Sequence, residues 1–101
     1  MANFVLVFRG GMPKSPQEGE KMMKDWNAWV ASIGSAMVDK GAGLGKSRFL
    51  LGPGKEGKID GAVSGYTIIS APDIDAALAI ASKNPIFDLG GTIEVAEAMA
   101  M

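Results

Sequence analysis

The chain has no cysteine and no histidine among its 101 residues. The first absence excludes a disulfide framework, a thiolate nucleophile and a zinc–thiolate site. The second removes the commonest acid–base group and the commonest metal ligand, so neither a Ser-His-Asp nor a Cys-His arrangement can be built. No stretch approaches the ~18 consecutive apolar residues of a membrane span. The first residues lack the charged region and apolar run of a signal peptide. Charge of one sign is lacking too: ten basic residues face eleven acidic ones, for a formal net charge of −1. With no basic stripe, nucleic acid is not an expected partner. These absences predict one cytoplasmic domain with no membrane partner, no metal and no cofactor.

What is present is organised around Gly65 to Val95. Tyr66, Thr67, Ile68 and Ile69 are aromatic or β-branched, bounded by Gly65 and Pro72, and predict a strand. Asp73 suits an N-cap, and Asp75 suits the positive end of a helix dipole. Ile74, Ala77, Leu78 and Ala81 recur at helical spacing as a narrow apolar stripe. Asn84-Pro85 stops that helix, because the residue before a proline disfavours the helical region. After Asp88, Gly90 and Gly91, Thr92 to Val95 alternates polar and apolar, the pattern of a half-exposed strand.

The preceding residues read as an earlier copy of the same unit. Phe4-Val5-Leu6-Val7-Phe8 is apolar on both faces, as expected of a central strand covered on both sides. Ser15-Pro16-Gln17-Glu18 is a capping box with proline at the first helical position. Met22, Trp26, Trp29, Val30, Ile33 and Met37 keep helical spacing, which carries the helix to about Lys40 with Gly41 as its C′ glycine. That places Gly34 inside the helix at a cost of ~1 kcal/mol; a break at Gly34 is the alternative. Lys46 to Leu51 is read as the second strand, Gly52 to Lys58 as a mobile polar turn, and Ala62 to Ser70 as the third strand. The order is βαββαβ: an α+β, ferredoxin-like fold with a four-stranded antiparallel sheet and two helices on one face. Strands apolar on both sides, with helices on one side only, call for a second molecule. A symmetric homodimer is the simplest cover.

Few residues suggest chemistry. Gly45-Lys46-Ser47 has Lys40 where a phosphate loop needs its first glycine, and strand-like residues follow it, so a turn is the better reading. Trp26 and Trp29, one helical turn apart, are either core or the aromatic wall of a small-molecule pocket. Asp60 and Glu94 are the candidate general bases; Glu94 stands opposite Ile93 and Val95, and pairing with Arg9 or Arg48 is its simpler role. Tyr66 could donate a hydrogen bond to a ligand. With Asn84 and Phe87 beside the proline turn, the candidate ligand contacts are Arg9, Trp26, Trp29, Tyr66, Asn84 and Phe87.

Several blocks together resemble the YCII-related (DGPF-type) domain family: Trp26-x-x-Trp29, Ile33-Gly34, Val38-Asp39-x-Gly41, Gly65-Tyr66-x-Ile68-Ile69, Asp75-Ala76-Ala77-Leu78, Asn84-Pro85 and Gly91-Thr92-Ile93-Glu94-Val95. The resemblance implies a dimeric α+β barrel, two protomers placing their sheets face to face around a cavity. It also implies, for some members, catalysis by a histidine–aspartate pair. Asn84 stands where the family often has that histidine, and Ala62-Val63 follows Asp60-Gly61 where the name-giving members have Pro-Phe. Asp60 is the position that could match the acidic partner. The expected function is therefore binding of a small apolar or aromatic molecule in a homodimer cavity. The alternatives are a cofactor-free lyase, isomerase or oxygenase using Asp60 or Glu94, and a pure interaction module without a cavity.

Overall fold

A computed structural model describes residues 1–58 and 61–99. The described residues form β1 (Ala2–Arg9), α1 (Pro16–Ile33), β2 (Met37–Gly43), β3 (Phe49–Gly52), β4 (Lys55–Gly57), β5 (Val63–Ala71), α2 (Ile74–Ala81) and β6 (Thr92–Glu97). Four strands make an antiparallel sheet in the order β2-β5-β1-β6, and β3 and β4 pair separately as a hairpin. The class is α+β, with two helices, a four-stranded antiparallel sheet and a small second sheet.

The local signals act where the sequence places them. Ser15 caps α1 by accepting the Glu18 amide at 3.1 Å, and the Glu18 carboxylate accepts the Lys14 amide at 2.8 Å. Asp73 caps α2 by accepting the Ala76 amide at 2.8 Å. Past Asn84, Pro85–Leu89 turns as a 3-10 helix. On α2 the buried arc differs from the expected stripe. It runs from Ala76 through Ile80 and Ala77 to Ala81, and Ile74 and Leu78 are exposed. The two fully buried alanines let the helix lie close to the sheet.

Two expectations in the first half are corrected. α1 ends at Ile33, the alternative boundary, because Gly34 takes φ 61° and ψ −128°, a region that residues with a Cβ avoid. One 3-10 turn follows, and Met37–Gly43, expected as the helix end and a loop, is instead the edge strand beside β5. Gly41, expected as a C′ glycine, is a bulge glycine at φ 72°, and a Cβ there would fall 1.7 Å from the Tyr66 carbonyl oxygen. Positive φ marks both a helix cap and a β-bulge, which is why the sequence pattern could be read either way. Lys46–Leu51, expected as the second strand of the main sheet, leaves it, and Phe49–Gly52 pairs with Lys55–Gly57 inside the expected polar turn.

The core lies between the helices and one sheet face. Phe4, Leu6 and Phe8 of β1, with Thr67, Ile69 and Ala71 of β5, are buried against Trp29, Ala77, Ala81 and Ile86. The Trp29 indole donates to the Ile80 carbonyl at 3.1 Å, tying α1 to the last turn of α2. The result is two layers only, with principal extents of 42 × 41 × 18 Å. Its radius of gyration is 14.7 Å, against about 13 Å for a compact domain of this length. The accessible surface is 6987 Å², whereas a compact monomer of 10.5 kDa exposes roughly 5,400 Å². A surplus of about 1,500 Å² follows from that scaling.

Candidate functional site

The alternation that buries Phe4, Leu6 and Phe8 sends Val5, Val7 and Arg9 to the opposite face. Strand register then assembles rows across that face. Val5 lies between Ile68 and Ala96, Val7 between Tyr66 and Glu94, and Arg9 between Val63 and Thr92. The centre is apolar and the β6 side polar. Val5, Val7, Tyr66 and Ile68 are only partly covered, by their neighbours in the sheet, and both helices pack on the other side.

Arg9 is the fixed cation of this face. Its Nη1 donates to Glu94 Oε1 at 2.9 Å, and its Nε donates to the Gly61 carbonyl at 3.1 Å, so one guanidinium joins β6 to the segment entering β5. The Glu94 side chain is 62% exposed. A pair this wet contributes at most ~1 kcal/mol to stability. Its consequence is positional: a carboxylate and a guanidinium held side by side, with the Tyr66 ring one strand away across Val7.

The other candidates sit on the helix side. Trp26 meets Phe8 edge-on at 5.2 Å between ring centroids and Trp29 at 5.3 Å, so both indoles fill the space between α1 and the sheet. Trp29, Asn84 and Phe87 line an open groove of about 460 Å³ between α1 and the 3-10 turn, shared with Asp25, Lys83 and Asp88. Asp25 already accepts from Lys21 Nζ at 2.6 Å, and that hydrogen bond raises the Lys21 pKa above its usual value. Asp60 lies outside the described residues. The structure thus brings Arg9, Tyr66 and Glu94 together on one face, and Trp29, Asn84 and Phe87 around a groove on the other. The sheet separates the two groups.

Asn84 is 3% exposed, and its Oδ1 accepts the Ile86 amide at 2.8 Å, while its Nδ2 has no hydrogen-bond partner among the described residues. A buried unpartnered N–H₂ costs ~1–3 kcal/mol, so the cap is gained against that penalty. Asn84→Ser keeps a capping oxygen and removes the orphan donor, and is expected to unfold within about 1 kcal/mol of the parent in urea. Asn84→Ala, which loses the cap, is expected to be the less stable of the two. The reverse ranking would mean that the amide has a partner in solution.

Sequence reasoning missed Val38, half exposed on the edge strand, and the outward-facing Phe49, Leu50 and Leu51. Three consecutive large apolar residues between glycine-rich segments were the available signal, but they were assigned to the main sheet. Among the described residues no group of three Asp or Glu side chains could hold a metal ion, and no helix is long and apolar enough to cross a membrane. No protein-family model matches the chain, and no curated protein matches it significantly.

Proposed function

We propose that the protein is a homodimer whose protomers place their open sheet faces together and hold a small apolar or aromatic molecule between them. The observation that carries this is the open face itself: Val5, Val7, Tyr66 and Ile68 at the centre of a sheet that the chain's own helices cover on one side only. The surface surplus of about 1,500 Å² exceeds the ~800 Å² that each partner buries in a standard interface. The order of the four sheet strands supports a ferredoxin-like protomer: counted along the chain, they run fourth, first, third, second across the sheet. That architecture agrees with the resemblance to the YCII-related family and with a dimeric α+β barrel. Two copies of Arg9 and Glu94 would rim the shared cavity, with Tyr66 on its floor, and give an apolar guest a polar edge to align against. An enzymatic reading, with Glu94 as base, needs the partner to enclose a carboxylate that is 62% exposed in the protomer. Binding needs no such enclosure of a base.

Sedimentation equilibrium at micromolar concentration tests the assembly, with an expected mass of twice the 10.5 kDa chain. Val7→Glu and Ile68→Glu place a charge where the faces meet and are expected to give folded monomers, since unpaired buried charge is strongly unfavourable. Native mass spectrometry of the wild-type dimer is expected to reveal a retained small molecule or uptake of an added aromatic probe. A wild-type monomer would overturn the proposal. A dimer that takes up no probe would reduce it to an interaction module.

A further inference from the structure

We infer that the β3–β4 hairpin is an arm that clasps a second copy of this chain. The hairpin is internally well made. Phe49 pairs with Gly57 and Leu50 with Glu56. Arg48 Nε donates to Glu56 Oε2 at 3.0 Å across the two strands, and Leu51 lies over Gly57. Its substantial packing contacts among the described residues are nevertheless internal ones. A two-stranded hairpin alone in water is marginally stable at best. This one also turns outward the residues that most need cover: Leu50 and Leu51 are each 63% exposed, and Phe49 is 38% exposed. Adjacent residues in a strand point to opposite faces, so β3 presents a large apolar residue on each side of the arm.

Charge selects the occupant. Taken with its flanking residues, Lys46 to Lys58, the hairpin carries Lys46, Arg48, Lys55 and Lys58 against Glu56, or +3, which leaves −4 for the rest of a chain whose total is −1. A basic, apolar arm and an acidic body are complementary between copies, and each copy supplies one of each, as a two-fold dimer requires. Area agrees. The whole-chain surplus of ~1,500 Å² is on the scale of a subunit interface rather than a small contact. The inference rests on the homodimer proposed above and adds which segment holds it together.

Two measurements separate the inference from the reading beneath it. In the first, Leu50→Ser/Leu51→Ser is compared with wild type by sedimentation equilibrium. The dimer dissociation constant is expected to rise at least ~10-fold, with the helical circular dichroism signal retained, because among the described residues the arm's substantial packing contacts are internal. In the second, a photoreactive residue replaces Leu50 in otherwise wild-type protein, and the expected product is a covalent dimer. A wild-type dimer whose affinity survives the double substitution, or a label that reacts only within its own chain, overturns the arm while leaving the dimer intact. A wild-type monomer overturns both. Binding of wild-type protein to phosphatidylserine vesicles, lost in the double variant with dimer affinity unchanged, would assign the arm to a membrane surface instead and overturn the clasp.

Discussion

Gly41→Ala is expected to destabilise the protein by about 2–4 kcal/mol, although it adds a single methyl group to an edge strand. Two effects combine. A left-handed backbone costs a residue with a Cβ roughly 1–2 kcal/mol, and Gly41 sits at φ 72°. The added Cβ would also lie 1.7 Å from the Tyr66 carbonyl oxygen and 2.6 Å from its carbon, which are backbone atoms of β5 and cannot rotate aside. β2 must therefore shift away from β5 and give up ladder hydrogen bonds. Gly43→Ala, two residues on and with open space around the new Cβ, is the control, expected within ~0.5 kcal/mol of wild type. Urea titrations of both variants at one protein concentration give the comparison. Equal midpoints would mean that Gly41 is not held in the bulge.

The same logic explains which parts of the fold were legible in the sequence. The second unit could be read closely because its junctions carry strong local signals: Asp73 caps α2, Asn84-Pro85 prevents the helix from continuing, and Thr92–Val95 alternates. The first unit contains residues with two meanings. Met37 continues the helical spacing of Trp26, Trp29, Val30 and Ile33, yet it enters the core from a strand. What separates the two is Gly34, whose backbone conformation comes from tertiary structure and not from periodicity. Moving the boundary from Lys40 to Ile33 turned Met37–Gly43 into the edge strand and released Phe49-Leu50-Leu51 from the sheet. One glycine thus accounts for both corrections. The open face was legible because it depends only on the two-residue repeat of Phe4 to Phe8. The groove around Asn84 was not, since it depends on how α1 lies against a turn fifty residues away.

Trp29→Ala is expected to cost about 4–6 kcal/mol of stability. The side chain is 4% exposed and packs among Trp26, the sheet and α2. Truncating a buried aromatic costs ~3–5 kcal/mol through lost burial and the cavity left behind. The substitution also leaves the Ile80 carbonyl without the indole donor that reaches it at 3.1 Å, a further ~1 kcal/mol. Against a total of ~5–15 kcal/mol for a small domain, such a loss brings the chain to the edge of unfolding at room temperature. Trp29→Phe keeps an aromatic ring in the core but loses the donor and part of the indole volume; it is expected to recover more than half of the stability lost in Trp29→Ala. Circular dichroism in urea, at fixed protein concentration, reads both variants without depending on tryptophan emission. If Trp29→Ala cost less than about 1 kcal/mol, the space between α1 and the sheet would not be the filled core described above. It would be a cavity able to take a guest, and binding would then belong on the helix side of the sheet rather than on its open face.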